Sequence, residues 1–161
     1  MKKAVFILLI LGIAVAGLGW RQWHQTRGLR HANLGEFDPD MTAGLLNGIF
    51  QELGAEDPPV YFVAFGEART EPDEAFIARF ADHIPPVRSF TASVSTPNGL
   101  VLETSTGRPG VIIQIIHATE YIPGTFDVLV ELSNLPARHN RFFYRLSNVG
   151  GEWKIEGRKP A

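Results

Sequence analysis

The stretch VIIQIIHATEYIPGTFDVLVELS, residues 111–133, decides the fold class of this chain. Its first half, from Val111 to Tyr121, is long and rich in β-branched residues, which favours a strand. Ile122-Pro123-Gly124 is a turn sequence. From Phe126 to Ser133 apolar residues alternate with more polar ones, so one face of the second strand is wetter than the other. The stretch therefore predicts two long neighbouring strands of a sheet with one buried face.

Further strands are predicted on both sides of this pair, each bounded by glycine or proline. The last two are joined by Gly150-Gly151, which suits a tight hairpin. The additional predicted strands are Val60–Phe65, Val87–Val94, Leu100–Glu103, Arg141–Val149 and Glu152–Glu156. From Val87 onward the chain is thus nearly all strand and turn.

A first helix is predicted from Met41 to Leu53, because apolar residues recur there at helical spacing and form one stripe. Asp40 or Thr42 is the expected cap at its start. Gly54 suits the left-handed conformation that ends a helix. We expect the stripe to pack on the core of the domain.

A second helix is predicted after the first strand. Thr70 and Glu71 are its candidate caps, Pro72 suits its first turn, and the helix must have ended by Ile84 because prolines follow. Helices come first and strands later, a segregation typical of an α+β domain. The sequence predicts two helices packed on one face of an antiparallel sheet of four to six strands.

An N-terminal membrane-targeting helix is expected before this domain. Lys2 and Lys3 precede an uncharged apolar run from Ala4 to Trp20, which fits a signal peptide cleaved after Ala16 or a short single-pass anchor. Tryptophans near the end of the run and the arginines beyond it favour the anchor. The residues expected to contact lipid are Ala4, Phe6, Leu8, Leu11, Trp20 and Trp23.

The expected organisation is a leader or anchor over residues 1–20, a juxtamembrane linker over 21–37 and a globular domain over 38–161. The domain is expected to face outside the cytoplasm, either anchored in the membrane or, if cleaved after Ala16, secreted or periplasmic. The chain contains no cysteine, which excludes disulfides, thiolate nucleophiles and cysteine-based zinc sites. Its net charge is -2, so we expect no nucleic-acid partner.

The terminal hairpin FFYRLSNVGGEWKIEG resembles the closing strands of cystatin-like and NTF2-like domains. A broader set of segments, VYFVAFG, DEAFIARFADH, PPVRSF and TGRPGVIIQI, resembles small exported bacterial proteins. These resemblances imply export and a curved antiparallel sheet that wraps a helix. They carry no activity to this chain, because the NTF2-like fold hosts enzymes, binding modules and accessory domains alike.

The candidate ligand-binding residues are polar groups on the predicted strands and on the basic loop between them. Strand periodicity puts His117 on the same face as Ile113, Ile115 and Tyr121, where it would line a cleft, and separates it from Glu120 on the other face. Tyr144 is a further candidate polar group. Arg138 and Arg141 of the loop could hold an anionic group, whereas Asp127 and Glu131 are expected to pair with such arginines.

No signature of catalysis, cofactor binding or a metal site is present in the sequence. The acids Glu67, Glu71, Asp73 and Glu74 cluster where a helix begins, and the helix dipole alone accounts for acids there. We therefore expect no catalytic residue, no cofactor and no metal, and a non-catalytic module that binds an envelope protein or a small ligand. The alternative is a small enzyme with a pocket on the concave sheet face, using His117 and a tyrosine as acid or base.

Overall fold

The computed structural model describes residues 30–32, 38–54, 60–133 and 140–161. It is an α+β structure with one main sheet, a two-stranded sheet and two helices. The helices are α1 (Pro39–Leu53) and α2 (Glu74–Ala78). The strands are β1 (Arg30–Ala32), β2 (Val60–Phe65), β3 (Val87–Ser89), β4 (Ser93–Ser95), β5 (Val101–Glu103), β6 (Gly110–Ile122), β7 (Thr125–Ser133), β8 (Arg141–Val149) and β9 (Glu152–Pro160).

The main sheet has the order β3-β2-β6-β7-β8-β9, and β1 pairs with β6 beyond the end of β2. The four strands β6 to β9 form an antiparallel meander, as predicted. The prediction of an entirely antiparallel sheet is wrong, because β2 runs parallel to both β3 and β6. α2 lies between β2 and β3, and a crossover of this kind returns the chain in the same direction, which strand periodicity cannot reveal.

The face of the sheet that packs against the helices, the inner face, is filled by a continuous apolar core. Leu45, Leu46 and Ile49 of α1 have exposures of 0–1%. They contact the core-facing side chains of the long strands, including Val128, Val130 and Leu132 of the predicted alternating face. Each buried side chain of this size contributes about 1.5–3 kcal/mol to folding, so this layer is a major source of stability.

Both helices begin at an aspartate other than the residues predicted. Asp38 caps α1 by accepting a hydrogen bond from the Asp40 N–H at 2.9 Å, so Asp40 and Thr42 lie inside the helix. Asp73 caps α2 by accepting from the Ala75 N–H at 2.8 Å. The end of α1 at Gly54, with φ of 72°, confirms the predicted stop.

The predicted single strand from Val87 to Val94 is wrong. β3 ends at Ser89, a turn of 3-10 helix covers Phe90–Ala92, and β4 belongs to the separate sheet with β5. This small sheet covers Phe62 and Ile112 on the face of the main sheet that points away from the helices. The strands of this part of the main sheet bury residues on both faces. The apolar pattern along the sequence therefore does not show where the chain leaves the main sheet.

The predicted leader over residues 1–20 lies outside the described residues, as does most of the predicted linker over 21–37. Arg30–Ala32 of that linker form β1, so the sheet begins before residue 38. No helix within the described ranges is long and apolar enough to cross a membrane.

Candidate binding face

One extra residue in β6 decides where His117 lies. Ile115 pairs with Val130 and His117 with the next residue, Leu129, so Ile116 is inserted as a bulge. Side chains alternate across a strand, and an inserted residue exchanges the two faces beyond it. His117 is therefore exposed on the face opposite Ile113 and Ile115, which corrects the prediction that it shares their face.

The outer face of the sheet is the side away from the helices, formed on β6 to β9 by His117, Thr119, Tyr121, Asp127, Leu129, Glu131, Arg141, Phe143, Arg145 and Lys159. One row across it joins His117, Leu129, Phe143 and Lys159. The rings of His117 and Phe143 meet edge to face with centroids 6.4 Å apart, and the Lys159 ammonium lies 5.6 Å from the Phe143 ring centre. The row thus presents an aromatic ring between two nitrogen-bearing side chains.

The neighbouring row carries a bidentate ion pair. Arg145 donates from Nε and Nη2 to the two carboxylate oxygens of Asp127 at 2.8 and 2.9 Å. This hydrogen bonding lowers the pKa of Asp127 and raises the pKa of Arg145. The Arg145 guanidinium also lies 5.2 Å from the Tyr121 ring centre, so two fixed contacts hold it on the surface.

A third polar group lies further along the outer face, around Glu131. Arg141 donates from Nε to Glu131 at 2.6 Å, as predicted for these two residues, and the contact raises the pKa of Arg141. Arg69 lies 3.7 Å from the other Glu131 oxygen and donates to the buried Gln114 amide oxygen at 2.9 Å. Gln114 in turn donates to the Gly66 carbonyl at 2.7 Å, so the cluster fastens the turn after β2 to the sheet.

A shallow depression of about 370 Å³ lies on the outer face beside the ion pair. Its walls include Asp127, Phe143 and Arg145 from the centre of the sheet and Glu156 and Lys159 from β9. Opposite charges and an aromatic ring line it together. Such a surface can orient a polar or planar group by hydrogen bonds and stacking.

Tyr144 is separated from the other candidate residues, because it lies on the inner face and is fully buried. Its hydroxyl donates to Glu52 at 3.3 Å and lies 3.5 Å from Arg158, which also contacts Glu52 at 2.8 Å. Burial raises the pKa of Tyr144. His117 and Tyr144 therefore lie on opposite faces of the sheet and do not line one pocket.

Of the other residues singled out in the sequence, Arg138 lies outside the described residues. Asp73 is the cap of α2, and Thr70 closes the turn after β2 through hydrogen bonds with Phe65. Over the described ranges, no group of three or more histidine, aspartate or glutamate side chains is arranged to hold a metal ion.

The sequence interpretation missed Phe143, Arg145 and Lys159. Alternation along β8 does place Arg141, Phe143 and Arg145 on one face, and that signal was available. Their neighbours on β6 and β7 depend on the register of three strand pairs and on the bulge, which no local pattern specifies.

Comparisons with family models, with curated proteins and with solved structures found no match.

Proposed function

We propose that this chain is a non-catalytic binding module of the cell envelope. Residues 4–20 either hold it in the membrane or direct its export, with cleavage after Ala16. Its outer face, as defined above, contacts an envelope protein or a small ligand. The proposal extends the expectation drawn from the sequence by naming the surface.

The observation that supports the proposal most is the contrast between the two sheet faces. The inner face is filled by the core, and Tyr144, Leu146 and Val130 have no exposure there. The outer face along β6 to β9 is open, and its charged groups are held in place by the ion pairs of Asp127 and Glu131. Side chains already fixed in one geometry lose little conformational freedom when a partner binds.

The mode of action expected of this face is recognition rather than chemistry. Within the described part of the chain, His117 forms no ion pair, and its ring contact is with Phe143. Histidines that act in general acid–base catalysis are commonly oriented by a hydrogen bond to a second polar group, and this supporting sign is missing for His117 among the described residues. A rigid mixture of charges and aromatic rings instead suits the selection of a complementary surface.

A capture experiment from solubilised envelope tests the proposal. Full-length protein and its Arg145→Glu variant would be used as baits, because the variant places two acids together on the outer face. Arg79→Glu is the matched control, since it breaks an ion pair with Asp40 beside the helices. We expect wild type and Arg79→Glu to retain a common partner or bound metabolite that Arg145→Glu loses, with all three proteins folded by circular dichroism.

Equal retention by both variants would contradict the assignment to the outer face. Absence of any partner and of any bound small molecule from the wild-type protein would contradict the binding function itself. Turnover of a substrate that depends on His117 would favour the enzyme instead.

A further inference from the structure

Large apolar side chains are exposed together at one end of the main sheet. Tyr121, Ile122 and Val149 have exposures of 57%, 55% and 58%. Tyr121 and Ile122 end β6, and Val149 ends β8 just before Gly150-Gly151. Exposed apolar residues scattered singly are ordinary, whereas a group at one place indicates a contact surface.

The strand pairing brings these residues to one edge of the molecule. The turn from β6 to β7 lies beside β8, because the Asn148 N–H donates to the Gly124 carbonyl at 3.0 Å. β6 and β8 are two strands apart, which corresponds to roughly 10 Å. Tyr121, Ile122 and Val149 are named the apolar end of the sheet below.

The charged residues beside the apolar end each contact a partner. The Glu120 carboxylate accepts from the Gly124 N–H at 3.3 Å, and Glu152, which pairs with Val149, lies 3.2 Å from Lys154. The Arg145 guanidinium lies against the Tyr121 ring. Tyrosine, an aromatic ring with a polar hydroxyl, favours the boundary between water and lipid. Ile122 and Val149, the other two residues, are aliphatic.

The chain enters the domain at this same end. β1 runs antiparallel to β6, and its first residue, Arg30, pairs with Glu120. Arg30 therefore lies beside the last residues of β6. The segment between Trp20 and Arg30 spans at most about 35 Å when fully extended, which is close to the diameter of a domain of this size.

We propose that the apolar end rests on the surface of the lipid bilayer that holds residues 4–20. This inference depends on the membrane tether in the proposed function. Attachment of the tether beside the end of β6 favours the apolar end as the part of the sheet nearest the membrane. Tyr121, Ile122 and Val149 enter the headgroup region. The outer face then stands at an angle to the membrane and stays open to a partner.

The absence of cysteine from the sequence gives a direct test. Single variants Ile122→Cys and Val149→Cys, each labelled with an environment-sensitive fluorophore, would be reconstituted as full-length protein in phosphatidylethanolamine–phosphatidylglycerol vesicles. Ile84→Cys is the matched control. Ile84 is 78% exposed and precedes β3, at the opposite end of the sheet, where the Tyr61 N–H bonds the Pro86 carbonyl.

We expect lipids that carry a nitroxide quencher to remove most of the emission from the labels at positions 122 and 149 and to leave the label at 84 nearly unchanged. Equal quenching at 122 and 84 in protein that floats with the vesicles would overturn the lipid contact and leave the tether intact. Full-length protein that does not float would overturn the tether. Shielding of position 122 in native envelope, but not in vesicles, would replace the lipid by a protein partner and also overturn the proposal.

Discussion

At the residue scale, the bidentate contact between Arg145 and Asp127 makes stability depend on pH in a defined direction. The pKa of Asp127 in the folded protein lies below its ordinary value of 3.8, chiefly because Arg145 hydrogen-bonds the carboxylate. A lowered pKa stabilises the folded state above about pH 4, and this contribution is lost as the pH falls through the folded-state pKa. We expect Asp127→Asn to lower the free energy of unfolding by about 1 kcal/mol at neutral pH.

Denaturant unfolding of wild type and Asp127→Asn at neutral pH and at progressively lower pH measures this effect. The difference between the two proteins should shrink as the pH falls below about 4. It should also shrink at high salt, because Arg145 is exposed enough to be screened. A difference that stays constant across the acid range would contradict the assigned cause.

The hydroxyl of Tyr144 provides a second test at the residue scale. The side chain is fully buried, and its hydroxyl contacts Glu52 and Arg158. We expect Tyr144→Phe to lower the free energy of unfolding by about 1 kcal/mol, since one hydrogen-bonding group is lost from the core.

Tyr121→Phe is the matched control, because Tyr121 is 57% exposed and removing its hydroxyl leaves no buried hydrogen-bonding group without a partner. It should change thermal and denaturant unfolding by less than about 0.5 kcal/mol. Tyr144→Phe should retain capture of the partner, since its hydroxyl is remote from the outer face. Loss of capture without loss of stability would assign Tyr144 to the binding site and contradict the present proposal.

At the scale of elements, two glycines of α1 set how closely the helix approaches β9. A Cβ on Gly44 would lie 2.7 Å from the Trp153 Cβ and 3.0 Å from the Trp153 carbonyl oxygen. A Cβ on Gly48 would lie 2.4 Å from the Cδ1 atom at the end of the Ile155 side chain. Backbone atoms cannot yield as a flexible side-chain end can.

We therefore expect Gly44→Ala to be the more damaging of the two substitutions. Overpacking costs about 1–3 kcal/mol and alanine returns about 1 kcal/mol of helix propensity, so Gly44→Ala should destabilise by up to about 2 kcal/mol. Gly48→Ala should be close to neutral after Ile155 changes rotamer. Thermal unfolding of both variants would reveal the order.

Gly157→Ala is the control for the close approach of α1, because nothing lies within 4 Å of a Cβ at that position. It should leave the stability within about 0.5 kcal/mol of wild type. Equal destabilisation by Gly44→Ala and Gly157→Ala would show that the contact with Trp153 is not the cause.

The elements also show which parts of the fold were accessible from sequence. α1 and the alternation of β7 were predicted correctly, because both patterns depend on neighbours within a few residues of the same chain segment. The parallel pairing of β2 with β6, by contrast, joins Val60 to Gly110 across α2, β3 and the small sheet. The sequence of neither β2 nor β6 indicates that the other strand is its partner.

The candidate site was predicted less well than the fold for a related reason. His117 and Tyr121 were selected as polar groups lining a cleft, and both lie on the outer face because the bulge at Ile116 reverses the face expected for His117. A bulge is a property of the strand pair, and the β-branched run Val111–Ile116 contains no residue that marks it. The Arg145–Asp127 pair depends on the same register.

At the scale of the whole molecule, the proposed leader or anchor over residues 1–20 can be tested directly. The apolar run and the two tryptophans near its end favour retention. We expect mass spectrometry of protein purified from the membrane fraction to find residues 1–16 still attached. A mature amino terminus at Gly17 would contradict the anchor and make the domain a released one.

The position of β6 also has a consequence for how the chain acquires its fold. This strand of thirteen residues pairs with β7 on one side and with both β2 and β1 on the other. β2 joins the meander through a long-range pairing with β6, whereas β6 to β9 need only short-range closures. We expect pulse-labelled hydrogen exchange during refolding to protect the amides of β6–β9 before those of β2. The pairing of β2, in the half of the polypeptide that is synthesised first, is therefore completed only after β6 has been synthesised.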